Sequence, residues 1–193
     1  MKKIFVPLVF TAFFLFDSIN GISQTFNQKR NSVLAGVHYA ILGEGDYEGT
    51  MVTNQYNRQF FSFLELSPSL GYLASSRFIS QPYRETYLTN HLLGDVSLFL
   101  VPVRTKCMFF KIGGGVSFRI RKEVSSTDIF YDEYGAVETV VDKESSFDTG
   151  YSLQAIIGAN VKQRFQIAGR LALQYYNKGT QLAIFGLLTG YNF

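Results

Sequence analysis

The sequence contains no tryptophan, one cysteine and four prolines, and only 17% of its 193 residues are charged. The single Cys107 excludes an intrachain disulfide framework, and no histidine stands close to it in sequence to make it a catalytic thiol. Soluble domains carry roughly 25% charged residues, so an ordinary water-facing surface is not expected. The formal net charge of +3, without any basic block, argues against a nucleic-acid partner.

Long hydrophobic runs are also missing beyond the N-terminus. The longest uncharged run after Gln24 is Gly179–Phe193, whose 15 residues fall short of the roughly 17 to 25 that a transmembrane helix needs. At the N-terminus, two lysines precede the apolar stretch Ile4–Phe16, and polar or small residues follow it. This layout is typical of a cleavable signal peptide, with an uncleaved membrane anchor as the alternative.

We therefore expect a signal peptide at residues 1–23, a short lead-in at residues 24–32 and one folded domain at residues 33–193. The domain is rich in aromatic residues, and apolar residues in it alternate with small or polar ones. A period of two, bounded by Gly, Asn, Asp or charged residues, predicts β-strands. Eight segments fit this pattern: Val33–Leu42, Tyr47–Tyr56, Phe60–Ser75, Thr89–Val101, Met108–Arg121, Phe147–Val161, Phe165–Tyr176 and Gln181–Phe193.

The connections between these segments alternate in length. Three are short and basic, at residues 57–59, 102–107 and 162–164, and they alternate with more polar ones at 43–46, 76–88, 122–146 and 177–180. Short turns at one end and longer loops at the other are typical of a transmembrane barrel. The aromatic residues that follow the short turns are expected to form one interfacial girdle: Phe60, Phe61, Phe109, Phe110 and Phe165.

The composition of the two strand faces decides between a membrane barrel and a soluble one. In Met108–Arg121, one face carries Met, Phe, Ile and Val, and the other is mostly Gly, Ser, Lys and Arg. Small residues suit the narrow lumen of an eight-stranded barrel, which leaves the apolar face toward lipid. We predict an all-β fold, a closed antiparallel up-and-down transmembrane barrel of eight strands. The alternative is a secreted, lipocalin-like carrier with an apolar interior.

The C-terminal segment alternates up to a terminal aromatic residue, with Phe185, Leu187, Tyr191 and Phe193 on one face and a mild departure at Thr189. With eight strands and this ending, the chain resembles the small outer-membrane proteins of the OmpA/OmpX type. The resemblance implies that the barrel-assembly machinery recognises this segment. It also implies a structural, adhesive or unassigned role, and cleavage just before Gln24 resembles that of exported proteins of the Bacteroidota.

Four ionisable residues on the predicted lumen face lie at similar distances from the short turns: Glu65, Asp95, Lys111 and Arg170. Charges in a narrow lumen are costly unless they are paired. We therefore expect a salt-bridge cluster that plugs the barrel, with a gated pore as the alternative. Arg119 and Arg121 are expected nearer the rim, in solvent.

Both histidines, His38 and His91, fall on the predicted lumen face. Barrels of this size include lipid-modifying enzymes, so an acyl hydrolase or transferase acting on lipid A or phospholipid is an alternative function if a histidine meets a serine or a carboxylate. No local motif fixes such a geometry. The sequence shows no metal-binding motif, and we expect no cofactor.

The connection Lys122–Ser146 is the most distinctive feature, with seven acidic and two basic residues. Strand-like patterns on either side of residues 132–136 favour a hairpin that projects from the membrane. Its tip would present aromatic and apolar residues to a partner: Ile129, Phe130, Tyr131 and Tyr134. A solvated, mobile loop, held off lipopolysaccharide phosphates by its charge, is the alternative.

Together these patterns predict a non-enzymatic barrel with a structural or adhesive role in a bacterial outer membrane. Its expected partners are outer-membrane lipid and lipopolysaccharide, the barrel-assembly machinery during biogenesis, and an extracellular protein at the hairpin.

Overall fold

The computed structural model describes residues 30–43, 47–79, 84–131, 136–161, 164–177 and 181–193. The predicted signal peptide and most of the lead-in lie outside this part of the chain. The described residues form eight strands: β1 (Asn31–Leu42), β2 (Tyr47–Phe61), β3 (Leu64–Ile79), β4 (Arg84–Arg104), β5 (Met108–Tyr131), β6 (Ala136–Val161), β7 (Phe165–Tyr176) and β8 (Leu182–Asn192).

Each strand pairs antiparallel with the next, and β8 pairs with β1 to close the barrel. Closure leaves no unpaired edge along the shared height of the strands, which membrane-spanning β-structure requires. The predicted fold is confirmed, including its weakest strand, since β2 runs for 15 residues. The described chain contains no helix long and apolar enough to cross a membrane.

One predicted turn is wrong. The first short connection lies at Ser62 and Phe63, not at residues 57–59, because β2 continues to Phe61. Asn57 is buried, and its side chain bonds to Ser32 and Ser67 on the neighbouring strands. A turn residue would instead face solvent.

Two local irregularities account for Pro102 and Gly43, which do not suit a regular strand. The register of β4 against β5 shifts between Leu100 and Val103, and Pro102 lies in this bulge. Proline has no N–H for the ladder, so a bulge at a barrel rim accommodates it. At the opposite end, Gly43 directly follows β1 and has a φ of 68°, a conformation that glycine adopts without strain.

The outer wall of the barrel is apolar. On β5, Val116 is 67% exposed and the neighbouring Ser117 is 2% exposed, and this alternation runs along the strands. An exposed apolar surface all the way around a barrel is unstable in water and matches a lipid environment. The predicted assignment of the faces is confirmed, and the barrel spans a membrane.

Exposed aromatic residues lie at both ends of the apolar wall. At the short-turn end, Phe61 stacks on Phe63, and Phe165 packs edge-on against Tyr191. At the long-loop end there are further pairs, among them Tyr39 with Phe185 and Tyr151 with Tyr175. Of the predicted girdle, Phe60, Phe61 and Phe165 are exposed and Phe110 is partly exposed, but Phe109 is buried inside the barrel.

The interior holds two apolar clusters as well as polar groups. The cluster nearer the short turns comprises Leu34, Phe99, Phe109, Ile156, Ala168 and Leu188. The cluster nearer the long loops comprises Ala40, Leu42, Met51, Leu73, Leu93, Ala172, Leu182 and Ile184. The lumen is therefore packed with side chains and less polar than the sequence analysis expects.

Candidate functional site: the lumen and the raised hairpin

Glu65 is the centre of the ionic cluster nearest the short turns. Its carboxylate accepts hydrogen bonds from Lys111 on β5 and, at 2.8 Å, from Arg104 at the end of β4. The side chains of Glu65 and Lys111 are each 4% exposed, and that of Arg104 is 17% exposed. Arg104 also donates to Gln59 at the rim. Glu65 and Lys111 thus form a buried pair that Arg104 connects to the end of the barrel.

Asp95 has a different environment, in which hydroxyl and amide groups donate to its carboxylate. Its oxygens accept hydrogen bonds from four side chains on β3, β4 and β6: Ser69 at 3.0 Å, Ser97 at 2.8 Å, Ser152 at 2.5 Å and Gln154 at 2.6 Å. It forms no salt bridge within the described residues. Its hydrogen-bonding capacity is thus satisfied by neutral donors.

Arg170 is buried on β7, and the described chain offers no hydrogen-bond partner to its Nε and one terminal nitrogen. The four residues predicted as one cluster are therefore all buried but not all joined. Glu65 and Lys111 are in contact, whereas Asp95 and Arg170 form no salt bridge with each other in the structure.

Arg119 and Asp148 form a buried ion pair that the sequence pattern does not predict. Arg119 donates two hydrogen bonds to one carboxylate oxygen of Asp148, at 2.7 and 3.1 Å. Its guanidinium lies 4.2 Å from the ring centre of Tyr176, and both charged side chains are 0% exposed. The prediction that Arg119 lies in solvent is wrong, because β5 and β6 continue beyond it and carry its partner into the lumen.

Arg121 is predicted in solvent together with Arg119. It lies two residues further along β5, toward the hairpin, and is partly exposed. It forms salt bridges with Glu123 at 3.7 Å and Glu144 at 3.4 Å.

Neither histidine meets the requirement for a lipid-modifying enzyme within the described residues. The ring Nε2 of His38 is 2.8 Å from the hydroxyl of Thr53, and its Nδ1 has no partner there. His91 is fully buried, and neither of its ring nitrogens has a hydrogen-bond partner in that part of the chain. No group of three metal-ligating side chains occurs there either.

The segment predicted as a long connection is a regular extension of β5 and β6. Their pairing continues without interruption from the barrel to Tyr131, opposite Ala136. The two strands have 24 and 26 residues, against 12 for β7, so the hairpin extends about 40 Å further along the strand direction. The loop alternative is wrong for the described residues of this segment.

We refer to residues 122–131 and 136–146 of β5 and β6 as the raised hairpin. It is not isolated, because β4 pairs with β5 as far as Arg84 opposite Asp128. On the other side, pairing of β6 with β7 ends at Gly150 and Tyr176, so the higher part of β6 has no β7 partner in the described chain. Residues 140–145 are exposed. Of the predicted tip, Ile129, Phe130 and Tyr131 lie on β5 but their side chains, like all of Tyr134, fall outside what the structure describes.

The C-terminal residues that the resemblance marks for assembly lie on β8 and just after it. Phe185, Leu187, Tyr191 and Phe193 are all exposed, on the outer wall or at its rim. Thr189 shares this face. Their role in assembly stays a prediction.

The sequence matches no protein-family model and no curated protein. Solved structures are nevertheless similar to the chain. They include Ail, the attachment invasion locus protein of Yersinia pestis, crystallised with the heparin analogue sucrose octasulfate (13% identity, 86% of this chain and 99% of Ail, TM-score 0.58). OprG of Pseudomonas aeruginosa (8%, 86% and 97%, 0.55) and Neisserial surface protein A (12%, 84% and 97%, 0.52) are similar as well.

The fold is that of small eight-stranded outer-membrane barrels. The predicted resemblance to this group is confirmed at the level of the fold. At these identities, the functions of the similar proteins do not transfer to this chain, and its own residues must carry any functional argument.

Proposed function

We propose that the chain is a non-enzymatic outer-membrane barrel whose raised hairpin binds a partner outside the cell. The observation that carries this proposal is the continuous pairing of β5 and β6 up to Tyr131 and Ala136. A barrel needs strands of about 9 to 11 residues to span a membrane, and β7 and β8 are close to this length. The extra length of β5 and β6 adds nothing to membrane insertion, so it serves a role in the aqueous phase.

The charge of the hairpin indicates the chemistry of its partner. Residues 122–146 contain seven acidic and two basic side chains. Residues 140–145 of β6 are exposed, and this stretch is acidic because Asp142 and Glu144 outnumber Lys143. Val140 and Val141 are its exposed apolar residues. Such a surface complements a basic protein surface and repels polyanions. The hairpin is therefore suited to a cationic protein partner, unlike a sulfated ligand of the kind bound to Ail in its crystal structure.

The lumen is proposed to be a non-conducting plug. The buried pair of Glu65 and Lys111, the hydrogen-bonded Asp95 and the two apolar clusters lie at successive positions inside the barrel. An eight-stranded barrel is just wide enough for its side chains to fill. The lumen thus stabilises the barrel, and interaction with a partner takes place outside it.

The proposed binding of a cationic partner by the hairpin can be tested by shortening the hairpin. Replacing Ser125–Glu144 by Asn-Gly leaves Lys122 paired with Ser145 and closes the hairpin with a four-residue loop. We expect the trimmed barrel to insert into membranes and to keep its heat-dependent shift in gel mobility. A labelled decalysine peptide, as the cationic probe, should bind the wild-type protein in zwitterionic nanodiscs at least about tenfold more tightly than the trimmed protein at low salt.

The control is a heparin fragment of similar length, whose binding should be no weaker after trimming, because the acidic hairpin repels a polyanion. Decalysine affinity that trimming leaves unchanged would contradict the proposal, as would heparin binding that trimming abolishes. Loss of membrane insertion would show that the hairpin is part of the barrel fold.

A further inference from the structure

Exposed cations gather at the short-turn end of the barrel. Arg30 precedes β1, Arg58 lies near the end of β2, Lys106 lies in the β4–β5 turn and Arg164 lies in the β6–β7 turn, and all four are exposed. We refer to these four residues as the basic rim. They come from four separate places in the sequence, and the fold brings them to one end of the barrel.

Backbone hydrogen bonds hold the basic rim at one level. The carbonyl of Arg30 accepts from Gln59 on β2 at 2.8 Å, and the carbonyl of Arg164 accepts from Asn192 at the end of β8 at 2.7 Å. The β4–β5 turn is tied to β6 by a 2.8 Å bond from Asn160 to Cys107. The cations are therefore spread around one circumference and do not form a compact patch.

Carboxylate side chains are almost absent from this end. Of the aspartates and glutamates in the described chain, only Glu65 lies near the short turns, and Lys111 and Arg104 occupy its oxygens. The exposed carboxylates, such as Glu144, lie at the long-loop end. The short-turn end is thus rich in cations and poor in carboxylates, whereas the long-loop end carries both signs.

Aromatic residues place the basic rim in the headgroup region of the membrane. The guanidinium of Arg58 lies 5.7 Å from the ring centre of Phe60, and Arg164 directly precedes the exposed Phe165. Aromatic side chains prefer the boundary between hydrocarbon and headgroups. Long cationic side chains beside them extend into the polar layer, where phosphate groups lie.

We propose that the basic rim binds the phosphates of anionic phospholipids in the leaflet at the short-turn end. A guanidinium matches a phosphate with two parallel hydrogen bonds. Each cation near an anionic membrane surface contributes about a fivefold gain in affinity. This selectivity for one leaflet holds whatever partner the hairpin binds, because the two surfaces lie at opposite ends of the barrel.

The test counts the lipids that the barrel retains from a mixture of phosphatidylglycerol and phosphatidylcholine with identical acyl chains, in equal amounts, by native mass spectrometry. The wild-type barrel should retain phosphatidylglycerol over phosphatidylcholine by about fivefold or more. The variant Arg58→Gln/Arg164→Gln removes two of the four cations and should reduce this ratio by about fivefold or more. The matched control Lys122→Gln/Lys143→Gln removes two exposed cations at the other end and should leave the ratio unchanged.

Arg58→Lys/Arg164→Lys keeps the charge and should keep most of the preference, which separates lipid binding from a folding defect. Each variant is first checked for the folded form by its gel mobility. Equal retention of the two lipids by the wild type would overturn the proposal, and so would a control pair that loses the preference. Displacement of phosphatidylglycerol by millimolar inorganic phosphate would show a site for free phosphate instead.

Discussion

Replacing Glu65 by leucine is expected to lower the free energy of unfolding of the barrel by about 3–5 kcal/mol. Glu65 is the carboxylate that contacts both Lys111 and Arg104. Without it, Lys111 is left as an unpaired charge in the interior, whereas Arg104 is partly exposed and can turn toward water. Leucine is close to glutamate in volume, so the effect does not come from a cavity. Urea titration of the barrel in lipid vesicles, followed by the fraction that migrates as folded protein, measures the change.

The matched control for this substitution is Glu123→Leu. Glu123 contacts Arg121 at 3.7 Å, and its side chain is 24% exposed. A partly solvated pair of this kind contributes less than about 1 kcal/mol. If Glu65→Leu unfolds at the wild-type urea concentration, the charges inside the barrel contribute nothing to its stability and the plug is wrong.

Breaking the pair of Arg119 and Asp148 is expected to have a similarly large effect. Arg119→Met and Asp148→Leu should each lower the free energy of unfolding by about 3–5 kcal/mol, because each leaves one fully buried charge without its partner. Arg119→Met also removes the contact with the ring of Tyr176. The double variant replaces the pair by apolar groups and should lose less than the sum of the two single losses by about 2 kcal/mol or more.

The control cycle uses Arg121→Met and Glu144→Leu on the same two strands. These side chains meet at 3.4 Å, and Glu144 is largely exposed. Their coupling should be less than about 1 kcal/mol. Additive losses at Arg119 and Asp148 would show that the two side chains are stabilised independently of each other.

The sequence predicts the strands best where one face meets lipid and the other meets the lumen. The bounds of β7, Phe165–Tyr176, are predicted without error because mostly apolar residues alternate with small or polar ones along the strand. Outside the membrane, consecutive residues 140–145 of β6 are all exposed, so both faces of the strand meet water there. The pattern there loses its contrast, so the sequence predicts a connection whose strand-like flanks favour a hairpin, and the extent of its regular pairing comes from the structure.

The alternation of apolar and polar residues does not reveal the apolar clusters inside the lumen. Leu92 is 48% exposed and Leu93 only 1%, and Leu187 and Leu188 differ in the same way. Two adjacent leucines point to opposite faces, but a sequence that is apolar at both positions shows no alternation. Face composition therefore identifies the outer wall and underestimates how apolar the interior is.

Contacts between lumen residues depend on the stagger of the strands, which a sequence does not provide. Counting residues from the turns places Glu65, Asp95, Lys111 and Arg170 at one depth, yet only Glu65 and Lys111 meet. The count for Glu65 also starts from the wrong place, because the first short turn lies at Ser62 and Phe63 and not at residues 57–59. Arg119 and Asp148 both lie within the predicted strands Met108–Arg121 and Phe147–Val161, but only the observed register shows that they face each other.

The most direct test of the central claim is the gel mobility of the protein, with and without boiling, after membranes are fractionated. A closed membrane barrel is expected to be found in the outer-membrane fraction and to migrate faster before boiling than after it, because the folded barrel resists detergent. A soluble protein of the periplasm, with the same mobility before and after boiling, would contradict the account. The apolar wall would then not face lipid.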